Sequence, residues 1–98
     1  MPAPHAQASA AELQRHLATL TGHEHARVRP YGKHLLIQMH RDDDAIDTVA
    51  RLTEVASHKY TAAFRSHTGR WEPLPGHAAD LKRAAELVTT LLAPYLEP

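Results

Sequence analysis

Arginine, histidine and tyrosine recur at a spacing of two through residues 24–40, EHARVRPYGKHLLIQMH, and this is where chemistry could begin. Residues two apart on an extended chain share one face. Arg27 and Arg29 therefore project together, opposite Val28, with Tyr31 at the turn that follows. Beyond the turn, His34, Leu36, Gln38 and His40 share one face, and Leu35, Ile37 and Met39 share the other. Guanidinium and imidazole groups on a common surface suit phosphate oxygens, and a tyrosine ring beside them suits stacking on a base. Lys59, Arg65 and Arg70 extend the set from a later segment.

The same surface gains an apolar centre from Leu36, Val49, Val55 and Ala63 if residues 45–56 form a strand. An apolar centre inside an arginine-rich rim is the anatomy of a protein–protein interface. Formal net charge is zero, 11 Lys and Arg against 11 Asp and Glu, which counts against indiscriminate polyanion binding. The expectation is a small interaction module that pairs with itself as a homodimer or docks a protein partner. Nucleic-acid or polyanion binding through Arg27, Arg29, Lys59 and Arg65 is the alternative. Charge is nonetheless blocked along the chain. Residues 24–41 hold Arg27, Arg29, Lys33 and Arg41 against Glu24, whereas residues 42–58 hold Asp42, Asp43, Asp44, Asp47 and Glu54 against Arg51.

Other chemistries find less support. Nine histidines invite a metal, and His23-x-His25 puts two imidazoles on one side of an extended segment. A zinc site needs three or four converging ligands, and the chain has neither an HExxH pattern nor any cysteine. The Asp42-Asp43-Asp44 run lacks the glycine and distal glutamate of a calcium loop and reads as a turn or helix cap. Ser66 and His67 are neighbours in sequence, which does not make a nucleophile and its base, and the four glycines are isolated. No enzyme, metal or cofactor is expected.

The elements that must position these residues follow from periodicity. At 98 residues, 43% hydrophobic and 22% charged, the chain fits one globular domain. Residues 1–8 read as a disordered tail and 9–98 as a single α+β domain. Ser9 and Glu12 form a capping box for a helix with apolar residues at Ala10, Leu13, Leu17 and Leu20, which Gly22 ends. Pro30 and Gly32 turn the hairpin at 24–40, Lys59–Arg65 is a strand, and Arg70–Glu72 is a short edge strand. A last helix spans about residues 77–93, striped by Leu81, Ala84, Ala85, Val88, Leu91 and Leu92.

Residues 45–56 are ambiguous. Ile46, Val49, Ala50 and Thr53 have helical spacing, yet Ile46, Thr48, Val49, Thr53 and Val55 are β-branched, which favours a strand. The predicted fold is an antiparallel meander of four or five strands with both helices on one face. A middle helix at about 43–56, giving α-β-β-α-β-β-α, is the alternative. Arg70-Trp71-Glu72-Pro73 offers Trp71 as an exposed anchor, but aromatics make up only 5% of the chain, so Trp71 is expected instead to close the core between sheet and last helix. No apolar run has the length of a membrane span. The opening MPAPHAQASA lacks the charged and apolar parts of a secretion signal, so a cytoplasmic protein is expected.

Overall fold

The structure is a computed structural model and describes residues 4–41 and 43–97. Helix α1 (Pro4–Thr21) leads into five strands, β1 (Ala26–Tyr31), β2 (His34–His40), β3 (Ile46–Ala56), β4 (Lys59–Arg65) and β5 (Trp71–Pro73). Helix α2 (Leu81–Leu91) and a 3-10 turn (Ala93–Leu96) follow. The strands form one antiparallel sheet in sequence order. The meander is therefore correct, and the 45–56 segment is a strand and not the middle helix.

The core lies between one sheet face and the two helices. Leu35, Ile37 and Met39 of β2, Ala50 and Leu52 of β3, and Tyr60 and Ala62 of β4 are buried against Leu13 and Leu17 of α1 and Leu81, Ala85 and Val88 of α2. Each large aliphatic side chain buried there contributes about 1.5–3 kcal/mol. Asp80 starts α2, its carboxylate accepting from the Arg83 amide at 2.9 Å. That cap stabilises the helix by about 1 kcal/mol. At its other end α2 stops at Leu91, and Pro94 sits in the 3-10 turn that docks Leu96.

Several expected boundaries move, each for a local reason. α1 starts at Pro4, so Ser9 is inside the helix and caps nothing. Proline at a first helical position has no needed N–H to lose, and the alanine-rich stretch after it has high helix propensity. Ala6 is buried, which anchors part of the expected tail; residues 1–3 of that tail lie outside the described residues. Pro30 lies within β1, paired with Leu35, and the turn is Gly32–Lys33 with Gly32 at φ 59°. α2 begins at Leu81, four residues later than expected, because Ala79 is occupied in a β-bridge to Tyr60. β5 is shifted by one residue to Trp71–Pro73. Of the Asp42–Asp44 turn, Asp42 lies outside the described residues.

The register of β3 holds the largest consequence. Ile37 pairs with Ala50 but Gln38 pairs with Thr48, so Val49 is an extra residue in a bulge. Val49 is 9% exposed and belongs to the core, which corrects its expected place on the open face. Val55 is 56% exposed, near the second irregularity of β3. Val49→Asp should therefore cost about 3 kcal/mol or more of unfolding free energy. Val55→Asp should stay within about 0.5 kcal/mol of the parent in the same urea titration. Equal losses in the two variants would place the bulge elsewhere.

Candidate functional site

The sheet face turned away from the helices is built in cross-strand rows. Arg27 pairs with Gln38, Arg29 with Leu36 and Tyr31 with His34. The middle row continues from Leu36 to Arg51, from Arg51 to Ala63 and from Ala63 to Pro73. Beside it, His34 pairs with Thr53 and Thr53 with Thr61, while Arg65 pairs with Trp71. Since Leu35, Ile37, Leu52 and Ala62 face the core, their alternate neighbours occupy this open face.

Nine of the ten residues expected here map to one surface. Arg27, Arg29, Tyr31, His34, Leu36, Gln38 and His40 lie on β1 and β2, and Lys59 and Arg65 on β4. Arg70 does not join them: it lies in the turn before β5, its carbonyl accepting from the Ser66 amide. Two residues were missed. Arg51 and Trp71 stand at the centre of the far half of the face, the Arg51 guanidinium 4.5 Å from the indole centroid and that of Arg65 at 6.0 Å. Trp71 is not a core residue. Ala63 separates Arg51 from β5 with a single methyl group, and the low relief lets the guanidinium reach the ring. Cation–π contact of this kind is worth about 0.5–1 kcal/mol near the surface.

The carboxylates are elsewhere. Asp47 pairs with buried Met39 on the helix side and accepts from Arg41 Nε at 3.1 Å. Glu54 pairs with Tyr60 and is held by His5 Nε2 at 3.2 Å and the Tyr60 hydroxyl at 3.4 Å. Glu72 pairs with Phe64, opposite in phase to Trp71. Among the described residues no Asp or Glu occupies the open face, and Arg27, Arg29, Arg51 and Arg65 have no carboxylate within 4.0 Å. Gln38 Nε2 donates to Thr48 Oγ1 at 3.1 Å, and Tyr31 is 64% exposed.

Both sheet edges are blunted. The Val28 amide, which points away from β2, donates to Gln14 Oε1 at 3.0 Å, and Pro30 has no amide to offer. On the far edge Pro73 lacks one as well. Strand addition to either edge is disfavoured. The histidines do not converge: His23 Nε2 donates to the Leu96 carbonyl at 2.7 Å while its Nδ1 accepts from the His25 amide, tying the C-terminal turn to the start of β1. No helix among the described residues is long and apolar enough to cross a membrane.

His34 feels the cationic face directly. Its imidazole is within 2.8 Å of Thr53 Oγ1, and burial first, then repulsion from Arg51 and Lys33, lowers its pKa below the ordinary 6.5. A base with a lowered pKa binds fewer protons folded than unfolded, so its contribution to stability is full above about pH 6.5 and is lost as pH falls through the folded value. The parent should lose more stability than His34→Gln between about pH 8 and about pH 5. Parallel urea midpoints for the two proteins would refute this. Comparison with protein-family models, with curated proteins and with solved structures finds no match to this chain.

Proposed function

We propose that this chain is a non-enzymatic cytoplasmic binding module whose open sheet face holds single-stranded nucleic acid. The observation that supports it is the segregation of charge. Arg27, Arg29, Arg51 and Arg65 share a face that carries no carboxylate among the described residues, with Tyr31 at one side and Trp71 at the other. Arginines track phosphates, and aromatic rings take bases without demanding a sequence. Five strands at about 4.8 Å spacing give a face roughly 19 Å across, the span of a few nucleotides. Leu36 lies in register between Arg29 and Arg51, where an apolar side chain suits arginine stems.

Self-association is the second reading, favoured by Leu36 at the middle of the face and by Ile46, 54% exposed and paired with His40. With Val49 withdrawn into the core, the apolar centre of that interface is small, and the blunted edges leave it no strand pairing to use.

Solution mass across a dilution series, at low and high salt, separates the two. The nucleic-acid reading expects a monomer throughout, and binding to an oligonucleotide of mixed sequence without terminal phosphate that weakens steeply with salt. Arg27→Ala and Arg29→Ala should each reduce the slope of log affinity against log salt by about 0.7. A salt-insensitive dimer dispersed by Leu36→Asp would replace this reading with self-association.

A further inference from the structure

β5 covers only Ala63–Arg65 of β4. The remaining outer edge of β4 is met by the chain between Leu74, whose amide donates to the Ala62 carbonyl, and Ala79, which bridges to Tyr60. The incomplete cover leaves a cleft of about 440 Å³ that runs from Arg51 and Trp71 on the open face, over this edge, to Arg83 on α2. Small-molecule sites have volumes of about 300–1,000 Å³. Among the described residues three permanent cations line the cleft, Lys33, Arg51 and Arg83, and no acidic residue does. Leu74 and Leu87 join Trp71 in supplying apolar wall.

Arg51 adds a second sign. Its Nε is buried and has no acceptor among the described residues. A buried N–H without a partner is costly, and a shift of the Arg51 side chain toward a ligand oxygen in the cleft replaces that cost with a hydrogen bond. Three cations, one of them with an unused guanidinium donor, suit a dianion better than a carboxylate, because arginine forks match phosphate oxygens two at a time.

We propose that this cleft is a phosphate-monoester site, taking a nucleotide whose phosphate is held by Arg51, Lys33 and Arg83 and whose ring lies against the apolar wall. Two sources carry that chemistry: a free nucleoside monophosphate, or the phosphorylated end of a strand lying on the open face. The second source rests on the nucleic-acid reading above and the first does not.

Trp71 is the chain's one tryptophan, so its fluorescence reports the cleft. The full chain is titrated with adenosine monophosphate, and with oligonucleotides of about ten residues bearing a 5′-phosphate, a 3′-phosphate or neither. Arg83 is exposed and its one ion pair among the described residues is a distant contact with Glu86 at 4.0 Å, so Arg83→Ala keeps the fold. That variant should weaken adenosine monophosphate or the phosphorylated strand about tenfold and leave the unphosphorylated strand unchanged. Arg27→Ala should weaken the strands and spare the monophosphate.

A monophosphate response without a gain from strand phosphorylation assigns the free nucleotide; a gain of about tenfold confined to one phosphorylated end assigns the strand terminus. No response to monophosphate together with no gain from either end phosphate overturns the cleft, as does a response that Arg83→Ala leaves intact. In that event, strand binding that depends on Arg27 preserves the face reading. Monophosphate binding with no strand binding has the opposite meaning and removes the nucleic-acid reading alone.

Discussion

β3 is the central strand, and it carries one more residue than β2 can pair. The rest of the arrangement depends on that bulge. On its C-terminal side, Ala50 and Leu52 face the helices, so Arg51 and Thr53 face out. On its N-terminal side the phase is reversed: Thr48 faces out to meet Gln38, while Asp47 joins Met39 on the helix side. A strand without the extra residue would put Val49 and Asp47 on the open face and Thr48 against the helices. The bulge thus keeps a carboxylate away from the arginines and a hydroxyl out of the core.

The same bulge explains why this segment resembled a helix in one dimension. Two consecutive residues, Val49 and Ala50, are buried, and with Ile46 and Thr53 they reproduce the three- and four-residue intervals of a helical stripe. β-Branching at Thr48, Val49 and Thr53 recorded the true state, since it reflects how stiff, branched side chains fit a pleated surface and does not require an unbroken repeat of two. Periodicity reads a bulged strand poorly because the bulge adds one residue to a repeat of two.

Most of the open face was legible for the converse reason: β1, β2 and β4 keep strict alternation, so the facing of Arg27, His34, Gln38 and Arg65 follows from spacing alone. Arg51 was hidden because its facing depends on the bulge. Trp71 was hidden because scarcity of aromatics suggests a core role for the largest one, whereas Ala63 and Arg51 provide it a seat on the open side. Helix boundaries were lost to tertiary contacts. Ala6 is drawn into the core and Ala79 into a bridge, and neither event has a local signature in the residues around it.

Zero net charge weighs against an anionic ligand where charge is evenly spread, and in this fold it is not. Net charge sums over a body of 36 × 26 × 25 Å, yet at physiological ionic strength a charge is felt over about 8 Å. Asp80 caps α2, Glu54 is held beneath the sheet by His5 and Tyr60, and Asp47 is paired with Arg41. A ligand approaching the open face would meet Arg27, Arg29, Arg51 and Arg65 directly, while Asp47, Glu54 and Glu72 project from the opposite side of the same sheet. For such a ligand the protein is locally cationic. The balance of charges gives the molecule as a whole little pull on polyanions at random, and among the described residues the positive charge is gathered on a face that also carries Tyr31 and Trp71.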